Sequence, residues 1–435
     1  MNFSELYSSK IRSPEDAVSI IENGDAVYTG GDPQILYRAL RDLRKGFKDV
    51  TLYSMFGLLP ESAELIESPD MSEHFSFIPT IIGVNEIKRW PNKGLDHIFV
   101  HFSELEDMIK RRVNPDAVLV RGCPMDGNGF IHLAASNGGA RAAVDCGAKV
   151  ILQIDKNVPH IYTDYHRVHI SEIDVLCEAE NRMYEPPQKP AGVKEKQIAA
   201  HIAERVPNGA VLQLGVGGIP DAVGMFLDSH RDLGIHTEVF TDSMAILMEK
   251  GVVNNRKKNL LPGVSVAGFL VGGKHTQEFA HNNPDILLKN LSWINDPIRI
   301  SRIHDMISIN SCLAVDLRAQ VCSESIGHSV SYGIGGQDNF VMGSRRGPGG
   351  KSFLAMRAAV EKENGEKISK ITLALPSGSV VTTPRTDVMY IVTEYGAADM
   401  MFKSVKEQAR NLINIADPEF RDQLTFEAQK HGLLL

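Results

Sequence analysis

Four short apolar runs punctuate the chain: Asp25-Ala-Val-Tyr-Thr29, Ala117-Val-Leu-Val120, Lys149-Val-Ile-Leu-Gln153 and Ala210-Val-Leu-Gln-Leu214. Amphipathic stretches of helical length separate them. Runs this short with little polar alternation read as strands buried on both faces, and strands that alternate with helices read as parallel sheets. The predicted fold class is therefore α/β with largely parallel sheets. The clearest predicted helices run from Pro14 to Asn23, with Ser13 as N-cap and Glu15 and Asp16 in the first turn, and from Val193 to Val206, where Ile198, Ile202 and Val206 recur every fourth residue. Each runs directly into a strand.

Those two helix-to-strand passages resemble each other: Glu22-Asn-Gly-Asp-Ala-Val-Tyr-Thr-Gly-Gly-Asp-Pro33 and Pro207-Asn-Gly-Ala-Val-Leu-Gln-Leu-Gly-Val-Gly-Gly-Ile-Pro220. In each, Asn-Gly closes the helix, a buried strand follows, and a loop that opens on glycine ends in proline. Internal duplication into two related α/β domains is one reading; chance similarity of two helix-strand units is the other. A length of 435 residues, at about 150 residues per domain, agrees with two or three domains. Tyr184-Glu-Pro-Pro-Gln-Lys-Pro-Ala-Gly192, with three prolines, is the predicted boundary. It divides the chain into domains 1–186 and 187–435.

Charge and cysteine content remove several function classes. With 46 basic against 54 acidic residues and a net charge of −8, the chain has no basic excess to neutralise a nucleic-acid backbone. Its five cysteines contain no C-x-x-C pair, so neither a metal site nor a disulfide framework is signalled. The first residues lack a basic segment followed by an apolar core, and no run approaches the roughly 18 apolar residues of a membrane span. The expectation is a soluble cytoplasmic protein that binds neither membrane nor nucleic acid.

Candidate chemistry gathers in the second half. Gly215-Val-Gly-Gly-Ile-Pro220 follows a predicted strand, and its glycines would let backbone N–H groups approach an oxyanion or phosphate closely; a tight turn before a helix is the alternative. Glu238 is expected at or near the end of a strand within Gly234-Ile-His-Thr-Glu-Val-Phe240, before a helix that Thr241, Asp242 or Ser243 can cap and Gly251 closes. Ligands of open α/β sheets bind outside the carboxyl ends of the strands, although a solvated strand-end glutamate is the plainer reading of this residue alone. The segment from Ser331 to Ser352 packs seven glycines with Arg345, Arg346 and Lys351 into 22 residues, a composition suited to a long anionic ligand or to a surface loop.

Further landmarks are Glu249-Lys-Gly-Val-Val-Asn254, Ile309-Asn-Ser-Cys-Leu-Ala-Val-Asp-Leu317, Tyr332-Gly-Ile-Gly-Gly-Gln337, Gly349-Gly-Lys-Ser352, Val381-Thr-Thr-Pro-Arg-Thr-Asp387 and Thr393-Glu-Tyr-Gly396. Together with the glycine loop and the Glu238 strand, they resemble, in order, the acetyl-CoA hydrolase/transferase family, in the branch containing 4-hydroxybutyrate, butyryl and itaconate CoA-transferases. The first domain shares a looser overall likeness. The resemblance implies two open α/β CoA-transferase domains with the active site at their interface. It implies Glu238 as nucleophile and oxyanion-stabilising amides from Gly215, Val216, Gly217, Gly218 and Ile219. Contacts to coenzyme A would come from around Leu313 and from Gly335 and Gly336. Coenzyme A and its acyl thioesters enter as substrates, with no prosthetic group and no metal, in a homo-oligomeric enzyme.

The chain departs from that pattern at Gly31-Asp32-Pro33, at Gly347 and at the Arg345-Arg346 pair, which puts the acyl substrate in question. Arginines reaching the acyl pocket would favour a dicarboxylate, so transfer from succinyl-CoA to itaconate is one expectation. Exchange involving 4-hydroxybutyrate, or butyryl-CoA and acetate, is the alternative; an acyl-CoA hydrolase and a noncatalytic CoA-binding protein are further ones. A glutamate with a reference pKa of about 4.3 would be ionised at neutral pH and able to attack a thioester without a general base.

Overall fold

The computed structural model describes residues 2–56, 70–82, 96–181, 190–330 and 333–434. Residues 184–189 of the predicted boundary, and Ser331 and Tyr332, lie outside them. The chain forms two compact units, residues 1–186 with 267–293 and residues 187–266 with 294–435.

In the first unit six strands, β1 (Ala26–Gly30), β2 (Val50–Phe56), β3 (Phe75–Ile81), β4 (Ala117–Gly122), β5 (Lys149–Ile154) and β6 (Val175–Glu178), lie in the order β3-β2-β1-β4-β5-β6. All adjacent pairs are parallel. Val27, Leu36, Leu40, Val50, Phe75, Leu119 and Ile151 belong to one buried cluster, which explains the unbroken apolar runs. Helix α1 (Pro14–Val18) starts as predicted, with Ser13 Oγ accepting the Asp16 N–H at 3.1 Å. It stops well short of Asn23: the Ile21 N–H turns onto the Val18 carbonyl at 3.1 Å, Asp25 Oδ2 accepts the Glu22 N–H at 2.9 Å, and Gly24 adopts φ +86° in the turn before β1. Helix α2 (Gln34–Asp42) follows a loop in which Gly31 and Asp32 have φ of +76° and +56°.

The sequence places 187–435 in one unbroken domain, whereas residues 267–293 belong with the first unit. Burial explains the excursion. Phe269 packs edge-on against Phe56 and Phe102, with centroids 5.1 and 6.4 Å away. The buried Glu106 carboxylate accepts the N–H groups of Leu291 and Ser292 at 3.0 and 2.9 Å.

In the second unit β7 (Val211–Leu214), β8 (Gly234–Phe240), β9 (Met306–Ser311), β10 (Lys351–Ala355), β11 (Tyr390–Thr393) and β12 (Gly396–Asp399) run in the order β8-β7-β9-β10-β11-β12. Only β12 is antiparallel to its neighbour among these pairs. Helix α3 (Val193–Ala203) leads into β7, α4 (Gly218–Phe226) follows it, and α5 (Asp242–Glu249) follows β8. The short turn α6 (Leu291–Ile294), whose first three residues belong with the first unit, precedes β9, and α7 (Gln337–Arg346) precedes β10. The first strand of each unit, β1 or β7, lies between the next strand and a later one, so the two repeated sequence passages occupy the same topological place. Connections leave in opposite directions from such a strand, and a crevice opens at its carboxyl end.

Among the described residues no helix is long and apolar enough to cross a membrane. No group of three or more His, Cys, Asp or Glu among them could hold a metal ion.

Candidate active site

Strand β8 carries Glu238, and its upstream end is clipped from both sides. Asn255, held at φ +57°, accepts the Ile235 N–H through Oδ1 at 2.9 Å, while Lys258 Nζ donates to the Ile235 carbonyl at 2.7 Å. Lys258 is buried, and loss of solvent pushes its ammonium down to about 7. The register pairs Gly234 with Val211 and Ile235 with Leu212, and Leu214 with Ile309. Glu238 follows Ile235 by three positions as Gly215 follows Leu212 by three, and Asn310 follows Ile309 by one as Gly215 follows Leu214. Glu238 therefore lies inside β8, two residues short of its end, at the edge where the glycine loop begins.

Two donors meet the Glu238 carboxylate. Asn295 Nδ2 donates to Oε2 at 2.8 Å, and the Gly336 N–H is the second. Their donation favours the ionised form, but the surrounding protein desolvates the carboxylate more strongly and pushes its pKa up to about 7. This modifies the expectation of a fully ionised glutamate at neutral pH: near pH 7 both forms are populated. Gly336 is placed by the next residue, since Gln337 Nε2 donates to Ser323 Oγ at 2.9 Å and to Thr383 Oγ1 at 3.3 Å. Gly335 beside it adopts φ +56°.

The glycine loop is less open than its composition implies. The Gly215 N–H is already committed to the Ile309 carbonyl at 2.9 Å, and a Cβ on Gly215 would press on Asn310 Oδ1. Beneath it Gln213 and Asn310 exchange two amide hydrogen bonds of 3.0 Å. Gly217, at φ +127°, is the N-cap of α4 and provides no side-chain cap. The first N–H groups of a helix have no intrahelical acceptor, so Gly218 and Ile219 present amides at the positive end of α4, while Val216 is exposed. Leu313 lies just beyond β9, half-buried, with its N–H donated to the Cys322 carbonyl at 2.8 Å.

Of the segment from Ser331 to Ser352, residues 333–352 are described. Helix α7 occupies its middle, and Arg345 and Arg346 fall in the last turn, roughly 13 Å along the axis from Gly336. Arg345 Nη1 lies 3.5 Å from Asp387 Oδ1, and Lys351 Nζ donates to the Arg205 carbonyl at 2.8 Å. Thr241 takes the N-cap position of α5, but its hydroxyl bonds Ser243 Oγ instead of a backbone N–H.

Asn295 escaped the sequence reading. It is fully buried within Trp293-Ile-Asn-Asp-Pro297, where Asp296 capping the following turn is the visible signal.

Comparison with known proteins bears on this arrangement. Residues 1–184 match the acetyl-CoA hydrolase/transferase N-terminal domain and residues 272–428 its C-terminal domain. The chain belongs to the acetyl-CoA hydrolase/transferase family. It is 36% identical to the 4-hydroxybutyrate coenzyme A transferase of Clostridium kluyveri, over 99% of this chain and 100% of that protein. It is 32% identical to the butyryl-CoA:acetate CoA-transferase of Anaerostipes caccae, over 99% and 98%. Among solved structures, RipA from Yersinia pestis superposes with a TM-score of 0.93 at 30% identity, covering 100% of both chains. Like these relatives, the chain is an enzyme of the CoA-transferase class.

Proposed function

We propose that this CoA-transferase exchanges CoA between a short-chain acyl-CoA and a free carboxylate through a thioester on Glu238. What supports this reading is a carboxylate at the carboxyl edge of the sheet on which two donors, Asn295 Nδ2 and the Gly336 N–H, converge. The ionised carboxylate attacks the acyl-CoA carbonyl and expels CoA thiolate, leaving an acyl-glutamyl anhydride. The thiolate then attacks the glutamyl carbonyl, forming the glutamyl-CoA thioester and releasing the first acid. The second acid attacks this thioester and expels thiolate again, and the thiolate takes the new acyl group, returning Glu238 as a carboxylate. One thioester forms for each one broken.

Each attack places negative charge on a carbonyl oxygen. Asn295 and Gly336 are positioned for charge on the glutamyl oxygen, and the amides of Gly218 and Ile219 at the start of α4 for charge on the acyl oxygen. With its N–H held by Ile309, Gly215 serves by letting the loop approach, and Val216 and Gly217 shape the same turn. Leu313 and Gly335 are assigned to the CoA-binding wall.

For the acyl group, Arg345 lies 3.5 Å from Asp387, so one of the two arginines that motivated a dicarboxylate preference already has a carboxylate partner. The similar proteins named for 4-hydroxybutyrate, butyrate and acetate favour these monocarboxylates; itaconate with succinyl-CoA belongs in the same acceptor panel. Incubation with butyryl-CoA or succinyl-CoA without acceptor, borohydride reduction and peptide mass spectrometry test the mechanism. Reduction confined to the Glu238 peptide is expected; full turnover by a Glu238→Ala variant would end the proposal.

A further inference from the structure

Two residues before Glu238 on the same strand, His236 is fully buried, and side chains two apart on a strand share a face. Its Nε2 lies 2.9 Å from the Ile294 carbonyl. A carbonyl only accepts, so Nε2 carries the proton and donates. That carbonyl belongs to the peptide joining Ile294 to Asn295, whose side chain holds Glu238 Oε2. On the other side, Asp296 accepts the Ile298 N–H at 2.9 Å and fixes the chain as it leaves Asn295. The imidazole also faces the Phe340 ring, 6.1 Å between centroids, on the first turn of the helix that follows Gly336. His236 thus touches both segments that supply donors to Glu238.

We propose that His236 is a positioning residue: its Nε2–H anchors the Ile294–Asn295 peptide, and with it the Asn295 amide, on the nucleophilic carboxylate. This rests on Glu238 being the nucleophile. Burial holds the imidazole down to about 3, the Ile294 carbonyl opposing this and Lys258 and Arg299 adding to it, so the ring is neutral. With one proton, held on Nε2, the neutral ring leaves Nδ1 unprotonated across the working pH range.

Three measurements together test this. In His236→Phe, kcat falls about 10- to 100-fold as Asn295 loses its alignment, the KM for acyl-CoA stays within about twofold, and the acid limb of the pH–rate profile moves upward because Glu238 loses a donor. His236→Gln, whose amide can donate to the same carbonyl, restores most of the rate. In an Asn295→Ala background His236→Phe adds less than about twofold, as residues acting through one contact are non-additive. An unmoved acid limb, equal damage from Phe and Gln, or multiplicative effects would overturn the inference. Nitrogen-15 histidine NMR of the unaltered protein gives a readout independent of any variant's folding: a proton on Nε2 at pH 5 supports it, and an Nδ1–H tautomer with Nε2 unprotonated overturns it. Absence of borohydride labelling at the Glu238 peptide would instead remove the nucleophile on which it rests.

Discussion

Gly336 faces the Glu238 carboxylate with no room for a side chain: a Cβ on its backbone would overlap both Glu238 Oε2 and Asn295 Nδ2. Its φ of −107° is open to any residue, so glycine is required here by contact alone. Gly336→Ala must displace the nucleophile or its donor, and kcat is expected to fall at least about 100-fold. Overpacking of this kind costs roughly 1–3 kcal/mol, so the variant should remain folded by circular dichroism. Wild-type rates in a folded Gly336→Ala would show that the carboxylate is held elsewhere during turnover.

Asn295 provides the second check on the same cluster. Removing its Nδ2–H leaves desolvation of Glu238 less opposed, so the carboxyl pKa rises above its present value of about 7. For Asn295→Ala the acid limb of kcat/KM should move to higher pH, and kcat at the plateau should drop by roughly 10²-fold or more, as for loss of one oxyanion donor. A pH series in wide-range buffer separates the two effects.

Glu238 should oppose folding stability in the pH range where it works. Its folded pKa, about 7, lies above its ordinary value of 4.5. The proton is therefore held more tightly in the folded state, and the stability it contributes is complete below about pH 4.5 and lost as pH rises through about 7. Glu238→Gln should match the wild-type melting temperature near pH 4 and exceed it at pH 8, by an amount equivalent to no more than roughly 3–4 kcal/mol. Activity runs the other way, increasing through the same interval as the nucleophile ionises.

The first unit has a polar core of its own. Arg121 Nη2 lies 2.6 Å from Asp155 Oδ2, both side chains are buried, and the Asn157 and Asn181 N–H groups also donate to Asp155. Asp155→Ala leaves the guanidinium buried without its counter-charge, a loss of about 3–5 kcal/mol. Replacing both partners together, Arg121→Met with Asp155→Leu, should recover much of that in a urea titration.

The strands and the Glu238 edge were legible because unbroken apolar runs and glycine loops are local signals. Val27, Leu119, Ile151 and Leu212 are buried where the pattern placed them. Non-local facts were not legible. Residues 267–293 join the first unit through Phe269 packing and Glu106 capping, pairings that no local pattern encodes. Asn295 reaches Glu238 from 57 positions away, and amide side chains carry no periodic signature. For the cation-rich segment, composition gives the charge of Arg345 but not the helix whose last turn carries it.

Arg345 therefore gives the last prediction. It sits in the final turn of α7, where a cation complements the helix C-terminus, and Asp387 lies 3.5 Å away. Were it an acyl-pocket residue, removing it would weaken dicarboxylate acceptors selectively, because a second carboxylate would lose its partner. As a structural pair, part-exposed on both sides, it should contribute no more than about 1 kcal/mol. Arg345→Met should thus lower thermal stability slightly and leave the ratio of kcat/KM for succinate or itaconate to that for butyrate or 4-hydroxybutyrate unchanged within about twofold, less than the 1.4 kcal/mol that a tenfold change in selectivity requires. A selective collapse of dicarboxylate turnover would return the arginine to the substrate and make itaconate the acceptor to pursue.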